Sequence, residues 1–150
     1  MKLKKGDHFP SFTLNDQNTN PFNLANVLGK ENLVVYFYPK NETFGCTMQA
    51  CKFRDEFNVF RDLQCKVIGI SSDSPKSHLS FIKNHKLPFT LLSDKKQKVR
   101  KQLGLPSDLF GLVPGRITFV INKKGIIVEI IDSSVNMNKH IYDAIIAIKG

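Results

Sequence analysis

Cysteine is scarce in this chain, with three residues in 150. That is about 2%, far below the density of a disulfide-stapled secreted scaffold. The count is also odd, so at least one thiol stands outside any simple pairing. No C-x-x-C dithiol motif is present. The one close pair, C-x4-C with no histidine nearby, does not match zinc spacing, so neither metal nor cofactor is expected. Long apolar runs are lacking as well. The longest is Leu33 to Tyr38, against the roughly 18 residues of a membrane span, so no membrane role is expected. Met1-Lys2-Leu3-Lys4-Lys5 is basic, but Gly6, Asp7 and His8 follow where a signal peptide needs an apolar stretch. These absences lead us to expect a cytoplasmic, reducing compartment, where cysteines more often do chemistry than form structural disulfides. Acidic residues are few, 13 against 22 basic ones, which leaves a net charge of +9.

What remains is ordinary for a folded domain: 41% hydrophobic and 23% charged residues. The length suits one core, and no repeat, low-complexity tract or linker divides it, so residues 1–150 are expected to form a single domain. Val34 to Tyr38 is β-branched and aromatic and ends at Pro39, as a buried strand does. Residues 66–70, 117–121 and 125–131 read as further strands, the last two forming a hairpin around Asn122-Lys123-Lys124. Helical periodicity runs over Cys51 to Leu63, where Phe53, Phe57 and Phe60 recur at spacings of four and three. Residues 77–86, 95–103 and 138–148 are further helix candidates. Strands alternate with helices, which argues an α/β domain with helices covering a sheet.

Cys46 follows a strand, Pro39 and a polar loop, just where helical periodicity begins. In the first turn of a helix a thiol faces unpaired backbone N–H groups and the positive end of the dipole. Both favour the thiolate, which is the nucleophile. A small buried residue filling space beneath the sheet is the alternative. Cys51 lies five residues on, so on an ideal helix the two Cα atoms are roughly 8–9 Å apart. A disulfide needs about 7 Å or less. Any bond between them therefore requires the first helical turns to unwind.

Pro39, Thr43 and Cys46 resemble the Pro-x-x-x-Thr-x-x-Cys pattern of peroxiredoxins. The second cysteine at position 51 is similar to the bacterioferritin-comigratory-protein, or peroxiredoxin Q, group. Gly6 to Leu14, Ala50 to Asp55, Gly69 to Ser74, Leu87 to Asp94 and Arg116 to Ile121 also match that family in order. The resemblance covers most of the chain, with two departures. Phe44 stands where the family usually has proline before Gly-Cys, and the family's frequent C-terminal tryptophan is absent.

The resemblance implies a thioredoxin-like fold, a central mixed β-sheet flanked by helices with an N-terminal β-hairpin extension. It implies that Cys46 reduces hydrogen peroxide or organic hydroperoxides and passes to a sulfenic acid, with Cys51 forming an intramolecular disulfide. Thioredoxin or a similar dithiol is the implied reductant. Thr43 would turn its hydroxyl toward the thiolate, or else cap the helix. Arg116 would fold over Cys46, and Pro39 would shield it. Cys65, outside every matched motif, is expected to pack in the core. An intramolecular resolving thiol needs no partner subunit, so a monomer is expected. The run Lys95 to Lys101 is expected to be a solvated face, with no nucleic-acid role, and His78 and His85 carry no metal expectation. A disulfide oxidoreductase without peroxidase chemistry remains an alternative at this point.

Overall fold

The computed structural model describes residues 2–108 and 113–150. In chain order the elements are β1 (Thr13–Asp16), β2 (Pro21–Asn23), β3 (Asn32–Phe37), α1 (Phe44–Asp55), α2 (Phe57–Asp62), β4 (Cys65–Ser71) and α3 (Pro75–His85). They continue with β5 (Thr90–Ser93), α4 (Lys98–Leu103), β6 (Ser107–Asp108), β7 (Val113–Pro114), β8 (Ile117–Ile121), β9 (Ile127–Asp132) and α5 (Met137–Lys149). Seven strands form one open sheet in the order β2-β1-β5-β4-β3-β8-β9, and β6 pairs with β7 separately. The β5-β4-β3 centre is parallel, while β8, β9 and the β1–β2 hairpin run antiparallel. This is the thioredoxin-like arrangement expected, although the N-terminal hairpin is the sheet's own edge and pairs through β1 with β5.

The central strand explains the two-sided core. Side chains on a strand alternate between faces, and β3 is apolar at every position after Asn32. Val34, Tyr36 and Tyr38 join Cys46, Ala50, Phe53, Phe81 and Ile141 on one face. Leu33, Val35 and Phe37 join Phe9, Val99, Phe119 and Ile127 on the other. A strand buried on both faces reads as a continuous apolar run, and this one does.

Three elements differ from the sequence expectation. The helix expected over Cys51 to Leu63 begins earlier, at Phe44, and breaks at Glu56 into α1 and α2. Its first turn carries no apolar periodicity because Phe44 projects into solvent, 83% exposed. The break preserves the phenylalanine pattern, since Phe53 and Phe60 still meet at 5.7 Å. Residues 95–103 are not one helix, because Lys96 and Gln97 both adopt φ 58°. The Asp94 carboxylate accepts from the Val99 and Arg100 backbone N–H groups at 2.8 and 2.9 Å and so starts α4 afresh. Nor is the basic run wholly solvated: Lys95, Lys96, Lys98 and Lys101 are exposed, but Arg100 is buried. Finally, of residues 6–14, which resemble the family's opening strand, only Thr13 and Leu14 lie in a strand, while Gly6 to Phe9 bond to the Gly125–Ile127 segment.

Candidate active site

Helix α1 carries both close cysteines, and β3 delivers it. After Phe37 the chain leaves the sheet through Tyr38, the half-buried Pro39 and Lys40, then enters α1 with Thr43 at the N-cap position. Cys46 therefore sits in the first turn, 2% exposed, where free backbone N–H groups and the helix dipole favour negative charge. β8 pairs antiparallel with β3 and ends with Phe37 opposite Ile117. One residue earlier, Arg116 consequently emerges at the same sheet edge as the loop to α1. Its Nη1 donates to Cys46 Sγ at 3.4 Å and to Gln49 Oε1 at 2.6 Å.

The approach is tight. A Cβ added at Gly45 would lie 3.1 Å from Arg116 Nη2, so glycine there admits the guanidinium. Arg100 supports the arginine from behind, donating to the Gly115 carbonyl at 2.6 Å. Arg116 Nε and Gln49 Nε2 are buried donors with no hydrogen-bond partner among the described residues. Beneath α1, Tyr36 stacks on Phe53 at 4.7 Å. Burial first, and then its electrostatic interaction with the nearby Cys46, push its phenol well above the usual tyrosine range.

Thr43 takes neither of the roles expected of it in full. It occupies the N-cap position without a side-chain cap bond, and its hydroxyl donates to the Lys40 carbonyl at 2.9 Å. With its hydrogen committed there, only the oxygen lone pairs face elsewhere. Cys51 is half-buried on the same helix as Cys46, and both are free thiols. Cys65 opens β4 in the core, where burial pushes its thiol up to about 12 and removes it from thiolate chemistry.

Sequence reasoning did not single out Gln49, Tyr36, Arg100 or the cluster that fixes the loop before α1. In that cluster Tyr38 OH donates to Asn41 Oδ1 at 2.6 Å, and the Asn41 backbone N–H donates to Asp73 at 2.8 Å. Asn41 Nδ2 donates to Ser77 at 3.1 Å and to His78 Nδ1 at 2.9 Å, while His78 Nε2 donates to the Leu92 carbonyl at 3.0 Å. This pattern fixes the neutral tautomer of a fully buried histidine, and burial pulls its pKa down. Gln49 did leave a signal: it interrupts the apolar α1 stripe of Cys46, Ala50 and Phe53.

A thioredoxin-like sheet that presents a buried thiol at a helix N-terminus beneath an arginine defines a class of thiol-based redox proteins. The comparison with known families is specific within that class. The AhpC/TSA family matches residues 5–130, and the chain belongs to that family. It is 50% identical over 140 residues to chloroplastic peroxiredoxin Q of Populus jackii, covering 93% of this chain and 65% of the poplar protein. Chloroplastic peroxiredoxin Q of Sedum lineare is 51% identical, with 93% and 75% covered. Among solved structures, peroxidoxin BcpB of Mycobacterium tuberculosis superposes with a TM-score of 0.89 at 32% identity, covering 98% of this chain and 97% of that one. A Xanthomonas campestris bacterioferritin comigratory protein, described as a trapped intermediate/ligand complex bearing on alkyl peroxide reduction, gives 0.82 at 27% identity, with 92% and 90% covered.

Proposed function

We propose that the chain is a thiol peroxidase that reduces hydrogen peroxide and organic hydroperoxides. The observation that carries this reading is the Arg116 guanidinium 3.4 Å from a buried Cys46 sulfur in the first turn of α1. A cation and a helix N-terminus converging on one sulfur stabilise the thiolate and the negative charge on the departing oxygen. The Cys46 thiolate attacks one peroxide oxygen, the O–O bond breaks, and the other oxygen leaves as alcohol or water after taking a proton. Cys46 is then a sulfenic acid. Arg116 Nε and Gln49 Nε2, without a partner among the described residues, are donors suited to the peroxide oxygens.

Cys51 next attacks the sulfenic sulfur, forming the disulfide and releasing water. Both thiols lie on α1, roughly 8–9 Å apart in ideal helical geometry, so its N-terminal turns unwind for this step. A thioredoxin or similar dithiol reduces the disulfide by exchange. The reaction is complete within one chain, which favours a monomer, and three free thiols suit a reducing compartment, the cytosol in our reading.

The test is intact mass before and after one equivalent of peroxide, with peptide mapping. The parent should lose two hydrogens at a Cys46–Cys51 bond. Cys46→Ser should consume no peroxide, and Cys51→Ser should oxidise once at Cys46 and fail to turn over with thioredoxin. Full turnover by Cys46→Ser would sink the proposal.

A further inference from the structure

The unwinding of α1 has fixed ends. Before it, Asn41 is 5% exposed and tied to Tyr38, Asp73, Ser77 and His78. After it, Phe53 is fully buried, and Arg54 Nη1 donates to the His85 carbonyl at the end of α3 at 2.8 Å. Both thiols lie between these anchors. Within that window Arg116 holds Cys46 and Gln49. One further tie runs to α3: Glu42 accepts from Asn84 Nδ2 at 2.8 Å and from His85 Nε2 at 2.7 Å.

Glu42 differs from Asn41 in two ways. Its carboxylate is nearly half exposed, so water competes for its partners. Its backbone sits at φ 62°, the left-handed region that costs a non-glycine residue strain. The bonds from His85 and then Asn84 hold its carboxylate below the usual range, so it is charged and fully accepting. Hydrogen bonding thus holds a strained residue next to the helix that must open.

We propose that Glu42 is a positioning residue whose bridge to Asn84 and His85 latches the N-terminus of α1 and sets the rate at which Cys46 sulfenic acid reaches Cys51. Oxidation removes the thiolate charge and loosens the bond from Arg116 to Cys46, which leaves the Glu42 bridge as the tie to α3, beside the Arg116–Gln49 bond and the packing of Cys46 and Ala50. While the latch holds, the sulfenic acid stays in the site and can meet a second peroxide. That reaction oxidises its sulfur to sulfinic acid and reduces the peroxide to alcohol or water. When the latch opens, Cys51 condenses with the sulfenic acid and water is lost. The inference rests on the peroxidase reading above.

The experiment titrates reduced full-length protein with hydrogen peroxide, quenches with an alkylating agent, and separates disulfide from sulfinic product by intact mass. An exposed hydrogen bond is worth about a twofold change in an equilibrium at the low end of its range, and Glu42→Ala loses two. Glu42→Ala should therefore raise the peroxide level that gives half sulfinic product by roughly fivefold. Glu42→Gln, which keeps an acceptor, should fall between it and the parent. Asn84→Ala removes one bond from the exposed α3 side, and it reads the same ratio if the Glu42 variants fold poorly. In a Cys51→Ser background, the rate of first Cys46 oxidation should stay near the parent value for Glu42→Ala. An unchanged sulfinic threshold accompanied by a lower Tm would reduce Glu42 to a structural role and overturn the inference. An equal loss in the first oxidation step would overturn it too, because the substitution would then have damaged the site itself. Absence of any Cys46 oxidation in the parent is a different outcome, and it strikes the peroxidase reading.

Discussion

Arg116 offers the sharpest quantitative test of the site. Its Nη1 lies 3.4 Å from Cys46 Sγ and is buried with it. A full charge pair at that distance, in an effective dielectric near 20, attracts by about 5 kcal/mol, which is a ceiling because both groups have left water. The net value of a hydrogen bond to a charged group is about 1.5–3 kcal/mol. If that bond strengthens as charge moves from sulfur to the departing oxygen, its removal slows attack by about 10- to 150-fold. Arg116→Met keeps the aliphatic bulk and deletes the charge. Arg116→Lys keeps the charge but loses the planar fork that serves sulfur and Gln49 together, so its rate should lie between those of the Met variant and the parent. The assay is the second-order rate of Cys46 thiol loss with peroxide in a Cys51→Ser background, where the resolving step cannot contribute. Circular dichroism checks that each variant folds. A folded Arg116→Met protein reacting at the parent rate would refute the electrostatic account and leave Arg116 a packing residue.

Two further outcomes follow from buried groups away from the sulfur. His140 is fully buried between Thr118 Oγ1 and the Ser133 carbonyl, each at 2.7 Å, and burial lowers its pKa from 6.5 to about 4. The unfolded chain takes up this proton first, so the contribution is complete above pH 6.5 and is lost as pH falls toward 4, by about 3 kcal/mol in all. Urea unfolding across that range should show a flatter pH dependence for His140→Gln, and a curve parallel to the parent's would count against this origin. At Gly69 an added Cβ would meet Leu91 Cδ2 at 2.7 Å and Tyr36 Cζ at 2.8 Å. Gly69→Ala should therefore destabilise by about 1–3 kcal/mol through overpacking, with Tm falling roughly 2–4 °C per kcal/mol; an unchanged Tm would show that the Tyr36 ring can move aside.

Strands β3, β4, β8 and β9 and the helices were legible because they are written in short-range pattern, whereas the short β5 was not read as a strand and the β1–β2 hairpin came only through the resemblance. The β3 run is apolar at consecutive positions and the α1–α2 phenylalanines recur at helical spacing, both visible within a dozen residues. The polar machinery has no such pattern. Arg116 and Cys46 are 70 positions apart, Asn41 and His78 are 37 apart, and Glu42 and His85 are 43 apart. Only the sheet register brings them together, so Arg116 reached the site through the family resemblance alone, and Arg100 read as one more cation in a lysine run. What does survive in one dimension is a polar residue on an otherwise apolar helical stripe: Gln49 among Cys46, Ala50 and Phe53, and His78 and His85 flanking Phe81. Burying such a group costs free energy unless a partner meets it, so its presence in a stripe already points to a distant partner. Here those partners are Arg116 for Gln49, and Asn41 and Glu42 for the two histidines. All lie at or beside the N-terminus of α1, the helix that in the proposed cycle holds Cys46 for attack and then releases it to Cys51. A helix with an entirely apolar buried face would hold the thiol equally well, but nothing in that packing could be undone at small cost. Exposed, singly replaceable hydrogen bonds such as those of Glu42 give the site a seam along which it can open while the core around Phe53 and Tyr36 stays closed.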